Sequence, residues 1–206
     1  MSDPGAIDGR VNLEAPVVRF TVDTPLPSGR MRVAVTGQGV IWAAFHEDDT
    51  SQMPEGLDLI DAAGIAADRR AHAVTTRLAD YFTGKWRRPA FELPIDWSLT
   101  SNLQRRVLLC LYETVPFGET ITYGGLAERC GGFEAEMART GQAARLVGTI
   151  MGTTPIAILM PAHRVVAADG IGGFGSGPDA LPTKRWLLTL EGALPATLDW
   201  DGPDLP

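Results

Sequence analysis

Between residues 17 and 45 apolar and polar positions alternate and are interrupted by turn formers. Phe20 and Val22 precede a Pro/Gly-containing stretch at 25–29; Met31, Val33 and Val35 follow, and Gly37-Gln38-Gly39 separates them from an apolar run at 40–45. Period-two alternation cut by Gly and Pro predicts a strand, a loop and a hairpin. Over 65–82 the period changes: Ala71, Val74, Leu78, Tyr81 and Phe82 recur at helical spacing, and Gly84 marks the stop. Residues 89–98 contain two prolines and alternate Phe91, Leu93 and Ile95, which predicts an extended connector.

Beyond the connector the pattern is mainly helical. Ser101 and Gln104 form a capping box ahead of Leu103, Val107, Leu108, Leu111 and Tyr112, which share one helical face. Thr122 can cap a short helix over 123–129 that Gly131-Gly132 closes, and a third helix is predicted over 142–151. A Gly-rich hairpin at 165–177 and an amphipathic helix at 184–191 complete the half. Helix, turn, helix, turn, helix, then a Gly-rich hairpin is the order of a winged helix-turn-helix. The predicted class is therefore α+β. A small N-terminal α/β domain with its connector occupies 17–98 and a winged-helix domain 99–195, with a loose tail at 1–16 and an acidic tail at 196–206.

Composition narrows the function classes. With 206 residues, 45% of them hydrophobic, the chain is long enough to bury a core. A formal charge of −7 excludes the strongly basic profile that holds nucleic acid by bulk electrostatics, so any DNA contact is local. Two cysteines, Cys110 and Cys130, are too few for a disulfide framework or a four-thiolate metal site, and His46 and His72 lack cysteine neighbours; no metal is expected. The start lacks a basic and then apolar leader, and the longest aliphatic run, 156–160, is far short of a membrane span, so the expectation is a soluble, cytoplasmic protein with no membrane contact. The stretch 137–168 contains no Asp or Glu but does contain Arg139, Arg145 and Arg164. From charge alone, three solvated arginines are the better reading, and a positive face on the third helix is the other one.

Three stretches carry a resemblance. They are Pro155-Ile-Ala-Ile-Leu-Met-Pro161-Ala162-His163-Arg164-Val165-Val166, Val115-Pro-Phe-Gly-Glu-Thr-Ile-Thr-Tyr123-Gly-Gly-Leu-Ala127, and Lys184-Arg-Trp-Leu-Leu-Thr-Leu-Glu191-Gly192. In this order they resemble the O6-alkylguanine-DNA alkyltransferases, also called methylated-DNA–protein-cysteine methyltransferases. The likeness is weak from about Phe20 and strong after Ser101. It implies a ribonuclease-H-like first domain ahead of the winged helix. In that family a thiolate, formed through a Cys-His-Glu relay, takes the alkyl group from the guanine oxygen and keeps it. The family signature reads Pro-Cys-His-Arg-Val; here the relay positions are Ala162, His163 and Glu191, so the base and its carboxylate remain while the nucleophile is absent. Cys110, within the first helix of this half, and Cys130, at a helix end, read as packing thiols and not as substitutes.

The resemblance further implies binding to double-stranded DNA containing O6-alkylguanine from the minor groove, by a monomer without metal or organic cofactor. Arg145, seventeen residues before Ala162, matches the arginine that fills the gap left by the flipped nucleotide, and Ala143, Ala144 and Gly148 would let the helix approach the backbone. Tyr123 matches a tyrosine that presses on the phosphate beside that nucleotide; its alternative is a half-buried helix-start tyrosine. Arg164 either touches DNA or ties down its own loop, and His163 without a thiol to activate reads best as a structural partner of Glu191. The implied lesion pocket is bounded by Met160, Pro161, Ala162, Val165 and Phe174, with Thr154 at the family's hinge asparagine.

Thr154, Phe174 at a family tyrosine, and a long turn at 131–140 are departures beyond the missing thiol. Together they favour the alkyltransferase-like branch, which binds lesions without transfer and flags them for nucleotide excision repair proteins, associating with the nucleoid when on DNA. The rivals are an active-site Cys-to-Ala variant of a true methyltransferase, a hydrolase in which His163 and Glu191 activate water, and a non-DNA interaction module that kept only the fold.

Overall fold

The structure, a computed structural model, describes residues 17–45, 60–85, 93–134, 137, 140–175, 177–196 and 202–203. The predicted tail at 1–16, His46, the start of the connector, Arg139 and most of the tail after 196 lie outside them.

The first half begins with an antiparallel meander, β1 (Val18–Val22), β2 (Met31–Val35) and β3 (Val40–Ala44). Phe20 pairs with Val33 and Val22 with Met31, so the alternating apolar residues share the face that meets the core. β3 is buried along its whole length, as its unbroken apolar sequence anticipates: Val40 and Ala43 join the main core, while Ile41, Trp42 and Ala44 join a smaller cluster. Gly39 makes the tight approach before β3 possible, because at its φ of 140° a Cβ would sit 2.1 Å from the Pro94 carbonyl oxygen.

The single helix predicted over 65–82 is two helices. Helix α1 (Ala62–Ala67) ends at Asp68, whose carboxylate then caps α2 (Arg69–Phe82) by accepting from the Arg70 and Ala71 amides at 2.9 and 3.2 Å. A short acid that satisfies free N–H groups competes with helix continuation, and here it wins. Ala71, Val74, Leu78, Tyr81 and Phe82 are the buried face of α2, as predicted.

Helix α3 (Asn102–Thr114) starts on Ser101, which accepts from the Gln104 amide. The capping box is only half formed: the Gln104 side chain donates instead to the Thr153 carbonyl at 3.0 Å, a tertiary bond that outcompetes the local one. Helix α4 (Tyr123–Cys130) is capped by Thr122 and packs on α5 (Gln142–Gly152), whose inner face is Ala143, Val147, Ile150 and Met151. Helix α6 (Ala180–Leu190) begins a turn earlier than predicted.

The Gly-rich hairpin is not an antiparallel ladder. β4 (Ile121–Thr122) and β5 (Val165–Val166) form a two-stranded parallel sheet, and past it a single Ala167–Gly170 bridge gives way to irregular chain. Gly172, Gly175 and Gly177 all have positive φ, which no ladder accommodates. Tertiary bonds hold the segment instead. The Gly173 carbonyl accepts from Tyr123 Oη at 3.2 Å and from Lys184 Nζ at 3.0 Å. Lys184, read as part of an amphipathic helix, is fully buried, donates also to the Val165 carbonyl at 2.7 Å, and is pushed down by burial to about 8.

One core runs through both halves, from Phe20 and Leu78 to Leu108, Val147 and Leu187. The halves also share backbone. The edge of β3 takes Ile95 through Val40 on one side of its length, and Ile156 through Ala43 further along, with Ala43 N–H to Pro155 O at 2.7 Å and Ala157 N–H to Ala43 O at 3.0 Å. The β3 edge thus fixes the start of the segment that leads to Ala162.

Candidate functional site

From this anchor, residues 155–164 fold as successive tight turns. Ile158 has a φ of 66°, the only positive value at a non-glycine among the described residues, and it is held there by burial and by the Met160 N–H to Ile156 O bond at 3.1 Å. Ala162–Arg164 then forms one 3-10 turn, all three residues buried.

At the end of α6, Glu191 is the hub of the site. Its Oε1 accepts from His163 Nε2 at 2.9 Å, Arg164 Nη2 at 2.9 Å and Tyr81 Oη at 2.7 Å; its Oε2 accepts from Arg164 Nε at 2.7 Å. The fork of Arg164 therefore grips the carboxylate with two parallel bonds, and its third nitrogen donates to the Val115 carbonyl at 2.8 Å. His163 is 1% exposed, Arg164 2% and Glu191 3%. Burial alone would raise the Glu191 carboxyl, but the hydrogen bonds from His163 and Arg164 and the Arg164 charge hold it at about 2. Burial pushes His163 below its usual value, and it pushes the Tyr81 hydroxyl well above its own.

Arg164, expected at the DNA or on its loop, is thus corrected to the second role: a buried guanidinium committed to Glu191 and Val115 has no free edge for phosphate. His163 and Glu191, read from the motifs as partners, are bonded to each other. Tyr81 was missed as a site residue. It counted there only as an apolar helix position, although a buried tyrosine hydroxyl needs a partner and that requirement was a usable signal.

Above the hub lies a cavity of about 210 Å³. Ala162, Phe174 and Thr154 line it, as predicted, together with His163. Met160, Pro161 and Val165 do not. The Ala157–Met160 bridge reverses the chain, which sends Met160 to a separate hollow with Leu93, Trp97 and Tyr112, and β5 pairing turns Val165 into the core. In their place the opposite wall comes from the first half: Trp42, Ala43, Ala44 and Phe45 of β3 and its end, with the Phe45 and Phe174 rings 5.0 Å apart. Nothing in the local pattern of β3 distinguishes a cavity wall from core.

A smaller hollow joins this cavity through Met151, Gly152, Ala162 and Phe174 and is lined by Tyr123 and Gly148. Tyr123 is half-buried, its hydroxyl proton already given to Gly173, and a Cβ on Gly148 would stand 3.8 Å from its ring. A Cβ at Gly148 would thus make only ordinary contact with that ring. Arg145 stands exposed on α5. Cys110 and Cys130 lie against each other, Cys110 on α3 and Cys130 at the end of α4, and neither lines the cavity; burial pushes Cys130 up to about 12. Among the described residues no group of His, Cys, Asp and Glu is placed to hold a metal ion, and no helix is long and apolar enough to cross a membrane.

The chain belongs to the O6-methylguanine-DNA methyltransferase family. Residues 102–193 match the family described as 6-O-methylguanine DNA methyltransferase, DNA binding domain. The DNA base-flipping protein of Thermus thermophilus is 35% identical over 175 residues, covering 82% of this chain and 98% of that protein. The methylated-DNA–protein-cysteine methyltransferase of Mycolicibacterium paratuberculosis is 40% identical over 173 residues, covering 83% and 90%. Among solved structures, the Mycobacterium tuberculosis OGT in complex with DNA superposes with a TM-score of 0.65 at 28% identity, covering 85% of this chain and 93% of that one.

Proposed function

We propose that this protein flips O6-alkylguanine out of duplex DNA into the cavity above Glu191 and holds it there without taking the alkyl group. The observation that carries the reading is Ala162. It lines the cavity beside His163, on an intact network of buried partners, with a methyl group where the family chemistry requires sulfur. A methyl group has no lone pair with which to attack carbon, and the two thiols of the chain lie elsewhere. The departures at Thr154 and Phe174 fall on the same cavity and fit a site that has moved from reaction to recognition.

In this reading the helical half acts as a winged helix-turn-helix, α5 enters the minor groove, and Arg145 fills the stack vacated by the flipped nucleotide. A guanidinium suits that place because it stacks and hydrogen-bonds at once. Flipping costs a few kcal/mol, and least for a poorly paired damaged base, which itself favours the lesion. A monomer in the cytoplasm, gathered onto the nucleoid by damage, would mark the site for excision repair proteins.

The test is a gel shift combined with a transfer assay on duplexes carrying O6-methylguanine, labelled in the methyl group, or guanine. The expected result is preferential binding of the lesion duplex, no label on the protein, and loss of binding in Arg145→Ala. Covalent label on the protein refutes the reading, and release of free methanol with repeated turnover replaces it with hydrolysis.

A further inference from the structure

The chain carries two thiols, and the fold brings them together. Along α3, Arg106, Cys110 and Thr114 recur at every fourth residue and so share one helical face. The end of α4 meets that face at successive points. Arg129 Nη1 donates to the Thr114 carbonyl at 2.8 Å, and Arg106 Nη2 donates to the Gly132 carbonyl at 3.4 Å with its guanidinium 5.8 Å from the Phe133 ring. Between these two attachments the Cys130 thiol lies against that of Cys110. Bonds that do not involve sulfur therefore fix the seam on both sides of the pair.

Both sulfurs are half-buried at the edge of the main core, which leaves them open to a small molecule. Neither lines the cavity, so the pair stands apart from lesion binding. Burial and the neighbouring thiol push Cys130 up, while the charges of Arg106 and Arg129 favour the thiolate through which oxidation passes. A disulfide carries no charge and suits a half-buried seam better than a thiolate does.

We propose that Cys110 and Cys130 form a dithiol site that a peroxide oxidises to an intramolecular disulfide, clasping the end of α4 to α3. One sulfur attacks a peroxide oxygen, giving a sulfenic acid and one water. The second sulfur then displaces that oxygen as another water and forms the S–S bond. The two thiols lose two electrons, the peroxide gains them, and both thiol protons end in water. The clasp fixes the point from which the chain sets out toward α5. In a reducing compartment it is transient, made under oxidant and reopened by thiol exchange.

The full chain, first reduced and then treated with a small excess of hydrogen peroxide, tests the proposal through thiol titration, peptide mapping and thermal unfolding. The expected product is a monomer in which both thiols disappear together and one linked pair of peptides holds Cys110 and Cys130. Its Tm should rise by about 5–10 °C and return with dithiothreitol. Cys130→Ala, treated alike, should show no such rise. Oxygen retained on either cysteine in place of the bond, a disulfide-linked dimer, or thiols left intact overturns the site. An oxidised chain with no rise in Tm, or an equal rise in Cys130→Ala, overturns the clasp.

Discussion

The floor and the walls of the cavity are built on opposite principles. On the floor, Tyr81, His163, Arg164 and Glu191 close on one another with every Glu191 oxygen bonded and almost no exposure. On the walls, Ala162, Phe45 and Phe174 present carbon, and the lining hydroxyls of Thr153 and Thr183 are bonded to backbone away from Glu191. In the proposed reading, the His163–Glu191 pair braces the floor while the wall carries a methyl group at Ala162. A buried charge network is therefore not evidence of catalysis, since it also holds a loop in place. The two regions answer differently to mutation, and that difference can be measured.

The largest effect belongs to the floor. Arg164→Ala leaves the Glu191 carboxylate without its guanidinium, and urea unfolding should show a loss of about 3–5 kcal/mol. A loss below about 1 kcal/mol would mean that the network does not brace the fold. On the face proposed to meet DNA, Arg145→Ala should leave urea stability within about 0.5 kcal/mol of the parent. Its affinity for a lesion duplex should fall by about 2 kcal/mol, or roughly thirtyfold. If stability and affinity fell together, the contrast between the two regions would be lost.

Tyr81→Phe sharpens the comparison, because it cuts one bond to the hub from the other half of the chain. Deleting a hydroxyl bound to a charged partner should cost about 1.5 kcal/mol in urea unfolding, with lesion preference retained.

The pH slopes are the gentlest probe. Burial lowers the His163 pKa, so below its ordinary value of 6.5 the unfolded chain takes up a proton that the folded chain does not, and stability falls. Glu191, held at about 2 against an ordinary 4.5, adds a second loss as pH drops through that window. Lys184 acts the other way: between about 8 and its ordinary 10.5 the unfolded chain keeps the proton, so its share of stability rises with pH. Denaturant midpoints across pH 4–9 follow these signs, and His163→Asn should flatten the step below 6.5.

Local signals made much of this legible. The alternation from Phe20 to Ala44 and the helical spacing of Val74, Leu78, Val107 and Leu111 are period rules, and the caps at Ser101 and Thr122 are chemistry within one turn. Ala162, His163 and Glu191 were read from motif spacing, and the structure brings them to one place. What escaped was set by long-range partners. Gln104 abandons its capping box for Thr153, Lys184 leaves the solvent for the carbonyls of Val165 and Gly173, and Phe45 reaches the cavity only because β3 accepts Ile156 along its edge. Met160 and Val165 were placed in the pocket by adjacency in sequence, which a chain reversal undoes.

The most direct test is the ratio of affinities for O6-methylguanine and guanine in otherwise identical duplexes, read by anisotropy, with the intact mass of the recovered protein taken from the same samples. A ratio well above one with the protein mass unchanged is the expected result. A ratio of one, or a protein that has gained a methyl group, contradicts it.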